Sequence, residues 1–368
     1  MRIAMLGHKT IPHGFGGTEA VVEALAVRFA QKGHEVTCYN RAEGQNPSVR
    51  TYRGVRLVTV PTVRVRGLAA LSSSVFAAIR AAFGRYDVVH FHSEGPACMC
   101  FLPKLFGKKT VVTVHGLDHQ RAKWGRLAGR YILRGEKNAV RYADTIIVLS
   151  RNVQRYFLEK YGRETVCIPN GTEPCAHREA AEIREKFGLT ADGYILFLGR
   201  LVPEKGLEYL IRAFREIETD KQLIIAGSSS DTDAYTAEMQ ALAADDGRIR
   251  FIGWADGDCK QELFCNAYCY VLPSDLEGMP LSLLEAMACG CCCLCSDIPE
   301  CAEVIGTDGV LFRHGDTDDL REKLQMLCAQ PETVQAYRER ALENAAQKLS
   351  WDAVADRTLA CYTDGEVE

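Results

Sequence analysis

The apolar residues of this chain fall in short runs, separated by segments in which they recur every three or four positions. The first run is 3–6, followed by the glycine loop Gly14-Phe15-Gly16-Gly17. Val21, Val22, Leu25, Ala26 and Phe29 then lie at helical spacing, with Thr18 suited to cap the helix and Gly33 to stop it. Runs at 35–39, 55–60, 88–92, 110–115 and 145–149 predict further strands, and the turn residues Cys167-Ile168-Pro169-Asn170-Gly171 close the series. A second series starts at 194–198 and continues with a helix near 207–217 and strands at 222–226, 249–252 and 268–272. A loop at 273–278 leads to a helix at 281–288, whose start Pro280 suits, and then to a cysteine-rich strand. The acidic stretch 316–348 is helical in pattern, and a last helix begins near Ser350-Trp351-Asp352. Strands alternating with helices predict parallel sheets covered on both faces, here an α/β chain of two Rossmann-like domains, 1–170 and 171–350.

Length agrees, since 368 residues exceed one ordinary core and suffice for two α/β domains. Hydrophobic residues at 47% and charged residues at 25% are ordinary for a globular protein. Runs of about 18 uncharged apolar residues are absent, so no membrane span is expected. The N-terminus MRIAMLGHKT lacks a signal-peptide layout, and a cytoplasmic location is expected. The net charge of −4 hides an asymmetry: residues 1–170 carry 26 basic against 11 acidic residues, and the remainder 18 against 37. The basic half suits an anionic surface or a phosphate-bearing substrate; chance and solvated helix faces are the other reading. Within it, 104–141 holds ten Lys and Arg against only Asp118 and Glu136, with Phe106 and Trp124 interleaved.

Five of the sixteen cysteines lie in one run, Cys289, Cys291, Cys292, Cys293 and Cys295, with CxxC spacing twice. A metal site is one reading. The run also reads as a helix end, a glycine turn and a buried strand, in which cysteine is a small apolar filler; this reading is preferred, and no disulfide framework is expected.

Ligands in doubly wound sheets bind outside the carboxyl ends of the strands. Gly199-Arg200 follows a strand, and Glu204-Lys205-Gly206 precedes a helix, so Arg200 and Lys205 are placed to grip a diphosphate with the helix start. Solvated Arg and Lys before helices are the bland alternative. Glu277 lies in the loop after another strand, and Glu285 lies eight residues on, among Leu283, Leu284, Ala286 and Met287, where a carboxylate needs a partner such as a sugar hydroxyl. Gly278 and the amides at this helix start can approach a phosphate closely. Asp231-Thr232-Asp233 in a Ser-rich loop reads as a surface turn rather than a metal-binding DxD.

GRLVPEKG at 199–206 and EGMPLSLLEAMACG at 277–290 resemble the retaining glycosyltransferases of family 4, which have the GT-B fold; the likeness covers essentially the whole chain. The resemblance implies two Rossmann-like domains with parallel sheets facing across a cleft, the first taking the acceptor and the second the sugar nucleotide. It implies a closing helix at about 351–368 that crosses back to the first domain. Arg200 and Lys205 would hold the donor diphosphate, Glu285 the ribose and Glu277 the transferred sugar. Gly16 and Gly17 would lie under the diphosphate, Gly253 and Trp254 along the base, and Gly278, Met279, Pro280 and Leu281 at the donor. From the residues alone His115, in TVHG, reads better as a hydrogen-bonded buried histidine; the resemblance reverses this, matching it to a family histidine near the donor sugar. His8, His90 and His92 read as structural. HGLDHQRAKWG at 115–125 resembles a bacterial subgroup found with surface-polysaccharide assembly; the basic stretch 104–141 adds the expectation of a lipid-linked acceptor at an anionic membrane. The departure is ACGCCCLCSDIPE, where the family has Val, Ile, Thr or Ala; it touches no donor motif.

The implied activity is sugar transfer from a nucleotide-sugar, UDP favoured over GDP and dTDP, with no metal, no cofactor and no nucleic-acid partner. A nicotinamide oxidoreductase is disfavoured, because the first loop lacks G-x-G-x-x-G and the second strand ends at Tyr39-Asn40-Arg41 without an acid. A sugar-nucleotide epimerase of the same architecture and a non-catalytic carbohydrate-binding protein stay open.

Overall fold

The computed structural model describes residues 1–12, 16–42, 50–63, 65, 68–120, 125–229, 233–345 and 350–363. Gly14, Phe15, Arg121, Lys123, Trp124, Asp231 and Thr232 lie outside these. The chain divides into two compact units: Met1–Gly171 with the closing helix Trp351–Ala360, and Thr172–Ser350.

Among the described residues the first unit has an eight-stranded sheet: β1 (Arg2–Leu6), β2 (Glu35–Arg41), β3 (Thr51–Tyr52), β4 (Val55–Val60), β5 (Val88–His92), β6 (Lys109–Val114), β7 (Thr145–Val148) and β8 (Val166–Cys167). Its order is β3-β4-β2-β1-β5-β6-β7-β8, parallel throughout except where β3 meets β4. The central strands β1 and β5 are nearly continuous apolar runs, as sheets covered on both faces require. The first helix, Gly17–Gln31, begins at Gly16 rather than at Thr18; in place of a side-chain cap there, Glu19 Oε1 accepts from the Lys9 amide at 2.9 Å. The closing helix packs on it through Arg28–Asp352 at 3.2 Å and Lys32–Asp356 at 2.7 Å.

The second unit has a six-stranded, all-parallel sheet of β9 (Tyr194–Leu198), β10 (Gln222–Ala226), β11 (Ile249–Gly253), β12 (Cys269–Leu272), β13 (Cys293–Ser296) and β14 (Val310–Phe312). Its order is β11-β10-β9-β12-β13-β14, so the strand order reverses between β9 and β12. Alternate side chains feed two cores. Tyr194, Leu196, Tyr270, Cys293 and Cys295 enter one; Ile195, Phe197, Val271, Cys292 and Leu294 enter the other. Truncating a core aromatic such as Phe197 to Ala costs about 3–5 kcal/mol.

The cysteine-rich strand is therefore filler, as its pattern suggests: Cys291, Cys292, Cys293 and Cys295 are buried, and burial pushes the Cys292 thiol up to about 12. Cys289 differs. It forms a disulfide with Cys175, 114 residues away, with the Cα atoms 5.1 Å apart, a single bridge among the described residues rather than a framework. The two positions come within bridging reach only after folding.

Candidate active site

The second unit gathers its polar loops at the carboxyl ends of β9 and β12, where the strand order reverses. After β9 come Gly199 and Arg200, then a single 3-10 turn, Pro203–Lys205, and the helix Leu207–Arg215. Gly206, between turn and helix, has φ 64°, and a Cβ on it would lie 2.0 Å from the Pro273 carbonyl oxygen. Only glycine allows this approach. The Asp275 amide donates to the Glu204 carbonyl at 2.9 Å, which completes the tie between the two loops.

This contact has a chemical result. Lys205 Nζ donates to Glu277 Oε1 at 2.5 Å, and Ser274 Oγ donates to the same oxygen at 2.7 Å. The side chains of Lys205 and Glu277 are 12% and 10% exposed, so the pair is weakly screened and its geometry is held by the loops. Arg200 is half-buried, and its guanidinium has no ion pair or hydrogen bond among the described residues. Sequence spacing alone did not pair Lys205 with Glu277, 72 residues apart.

Glu277 leads through buried Gly278 and partly buried Met279 to Pro280, which occupies the cap position before the helix Leu281–Ala288. Tyr270 OH binds Ser282 Oγ at 2.8 Å and so pins this helix start to β12. Leu281 is partly buried and packs against the core. Glu285 departs from expectation: it is 38% exposed and accepts from Lys260 Nζ at 2.8 Å. Its neighbours Leu283, Leu284, Ala286 and Met287 face the core, while the helical turn carries Glu285 to the open side, where Lys260 from the helix Gly257–Asn266 meets it. Gly253 ends β11 and its carbonyl accepts from the Gly227 amide at 2.7 Å. Trp254 follows, 43% exposed, its indole donating to Asp256 at 3.2 Å. An exposed Trp beside glycines at a strand's carboxyl end offers a flat surface for a base.

In the first unit His115 is the first residue after β6 and is half-buried. Its Nε2 lies 3.0 Å from His92 Nδ1, and His90 stacks on His92 with ring centres 4.2 Å apart. His90 in turn bonds Thr113 at 2.7 Å and Tyr362 at 2.6 Å. Burial drives His90 down to about 3, His8 down to about 4 and His92 well below the usual imidazole range. His115 is thus oriented by neutral imidazoles behind it. Gly16 and Gly17 start the first helix after β1.

Residues 15–174 match the family described as Glycosyltransferase Family 4, and residues 192–330 match the one described as Glycosyl transferases group 1. The chain belongs to glycosyltransferase family 4. Among curated relatives of this glycosyltransferase, alpha-maltose-1-phosphate synthase of Mycobacterium tuberculosis (strain CDC 1551 / Oshkosh) is 27% identical, over 98% of this chain and 99% of the relative. Among solved structures, Anabaena Alr3699/HepE in complex with UDP and glucose superposes with a TM-score of 0.84 at 17% identity, over 99% of this chain and 100% of that one. WaaG, a glycosyltransferase involved in lipopolysaccharide biosynthesis, gives 0.80 at 19% identity, over 99% of this chain and 100% of that one. The glycosyltransferase has the GT-B fold. None of its helices, among the described residues, is long and apolar enough to cross a membrane.

Proposed function

We propose that this glycosyltransferase moves a sugar from a nucleotide-sugar donor, a UDP-sugar first among them, to a lipid-linked glycan of a surface polysaccharide, with retention of anomeric configuration. The observation that carries the donor half is the Lys205–Glu277 pair, set beside Arg200 at the strand-order reversal of the second unit. A leaving diphosphate gains negative charge as the glycosidic bond breaks, and fixed cations placed there stabilise the transition state. Lys205 and Arg200 supply two, so the transfer needs no catalytic metal. Lys205 also aims Glu277, whose carboxylate oxygens can accept from hydroxyls of the transferred sugar. Glu285 takes the ribose, Trp254 and Gly253 lie along the base, and Gly278 to Leu281 present the helix start to the phosphates. Gly16, Gly17 and His115 act from the first unit, which takes the acceptor. HepE was solved with UDP and glucose and with UDP-glucose, which supports UDP.

The acceptor side rests on charge. Along the helix Arg126–Tyr142, the exposed residues Arg126, Arg130, Arg134, Lys137 and Arg141 recur at three- and four-residue intervals and form one cationic stripe. Phe83 at 69%, Leu105 at 72% and Leu127 at 80% exposure add apolar contacts to the same unit. A cationic stripe with exposed apolar side chains suits an anionic lipid surface on the inner face of a membrane. The test of the donor assignment is thermal stabilisation by a panel of sugar nucleotides; a ligand at 100 times its dissociation constant adds about 2.7 kcal/mol. Stabilisation by none of them would refute the reading.

A further inference from the structure

Outside the residues assigned to transfer, the first unit buries two carboxylates against an imidazole. Glu94 opens the segment after β5, His119 lies in the 3-10 turn Asp118–Gln120 after β6, and Glu136 lies in the helix Arg126–Tyr142. The side chains of Glu94 and Glu136 have no solvent exposure, and that of His119 has 17%. His119 Nδ1 is 3.4 Å from Glu136 Oε2 and 3.9 Å from Glu94 Oε1, and the three atoms lie within 4.8 Å of one another. None of the three has a hydrogen-bond partner among the described residues. Orphaned buried oxygens facing an imidazole nitrogen are costly unless a cation or a shared proton joins them.

The rest of each side chain is held in place. The Asp118 amide donates to Glu94 Oε2 at 2.8 Å. Glu136 Oε1 accepts from Lys160 at 2.9 Å, from Tyr156 at 3.0 Å and from Tyr161. Each carboxylate thus spends one oxygen on supporting groups and turns the other inward, the arrangement by which supporting hydrogen bonds orient metal ligands. The backbone has been built to allow it. A Cβ on Gly135 would lie 1.8 Å from the Glu94 carbonyl oxygen, so only glycine lets this helix reach Glu94. Ser93, just before Glu94, sits at φ 74°, a left-handed conformation that costs a non-glycine residue about 1–3 kcal/mol.

We propose that Glu94 Oε1, His119 Nδ1 and Glu136 Oε2 bind a divalent first-row metal ion, with zinc the best fit. Zinc–nitrogen and zinc–oxygen bonds of about 2.0–2.2 Å put neighbouring ligand atoms of a tetrahedron about 3.3–3.6 Å apart, close to the separations here. One imidazole and two carboxylates are borderline-to-hard ligands, unlike the thiolates that select copper(I) or iron–sulfur clusters. Three protein ligands leave the fourth position of a tetrahedron for water. The ion would tie the exit of β5, the loop after β6 and the helix Arg126–Tyr142 together. His119 is four residues beyond His115, so the same ion would fix the loop that carries His115. The site is independent of which donor is used.

A competing occupant is a proton, because Glu94 and Glu136 also lie side by side. A competing location is the thiol group of the second unit, where Cys265 Sγ is 3.8 Å from Cys175 Sγ beside the Cys175–Cys289 bridge. The test uses the full chain, stripped with chelator and titrated with zinc against a chromophoric chelator. The wild type is expected to take up about one ion per chain and to gain thermal stability. His119→Ala and Glu94→Gln, with circular dichroism confirming the fold, should each weaken uptake more than about tenfold. Cys265→Ser should leave it unchanged. Cobalt(II) loading should give d–d bands without a thiolate charge-transfer band. Uptake that survives His119→Ala, uptake lost with Cys265→Ser, a thiolate band, or no uptake at all would each overturn the proposal.

Discussion

Replacing Lys205 with Met removes its charge but keeps the side chain's length, and it separates two roles that the structure gives to one residue. The Lys205–Glu277 contact is 2.5 Å with both side chains about one-tenth exposed. Losing the cation leaves Glu277 with Ser274 Oγ at 2.7 Å as a remaining donor, so the stability cost should be that of a poorly satisfied buried acceptor, about 1–3 kcal/mol, below the 3–5 kcal/mol of a fully buried broken pair. The rate cost should be larger in kind: loss of one preorganised charge at a leaving group costs about 10²–10³, or about 2.7–4 kcal/mol. The double variant Lys205→Met with Glu277→Gln distinguishes the two. It neutralises both partners, so stability should recover toward wild type by urea denaturation while turnover stays low. The assay is release of nucleoside diphosphate from the confirmed donor, read beside the unfolding midpoint. A Lys205→Met enzyme that loses stability yet turns over within a few-fold of wild type would show the pair to be scaffolding and refute the argument.

Three further outcomes are expected. Glu285→Gln should weaken donor binding by the roughly 1.5–3 kcal/mol of a charged hydrogen bond; its stability should change by no more than about 1 kcal/mol, since the Lys260 pair is about one-third exposed. Equal affinities by calorimetry would remove Glu285 from the site. His8 and His90 are held neutral in the fold, at about 4 and about 3, so below the unfolded value of about 6.5 the unfolded chain binds the extra protons. Stability is full above that pH and falls as pH drops through the window, by roughly 2 kcal/mol per histidine at pH 5. A His90→Asn variant should show a shallower fall in midpoint between pH 6.5 and 4, and an unchanged slope would sink the assignment. Finally, co-sedimentation with anionic vesicles should be strong at low salt and drop when Arg130 and Arg134 become Glu, each cation near the surface being worth about 1 kcal/mol; no binding at low salt would leave a soluble acceptor as the better account.

The strands were legible because a covered parallel sheet demands apolar runs, and glycines and prolines mark their ends. The three that pattern missed, β3, β8 and β14, have two or three residues each, too short to carry a period. Arg200, Lys205 and Glu277 stood out in sequence because each follows a strand or precedes a helix, and Glu285 because it is a carboxylate among apolar residues. Their mutual contacts did not: Lys205 meets Glu277 only because Gly206 lets two loops touch, and Glu285 meets Lys260 only because two helices lie side by side. The grouping of Glu94, His119 and Glu136 has no local signature either, since three separate elements supply it. The Cys175–Cys289 bridge, likewise, joins a segment after β8 to the end of a helix.

The most direct measurement follows a panel of UDP-, GDP- and dTDP-sugars by proton NMR with the full chain and an excess of acceptor glycan. One donor should be consumed with release of its nucleoside diphosphate, the transferred sugar should keep the donor's anomeric configuration, and Arg200→Ala should slow the reaction about 10²–10³-fold. Interconversion of the sugar while it stays attached to its nucleotide would instead indicate an epimerase. No consumption and no binding of any donor would contradict the account outright.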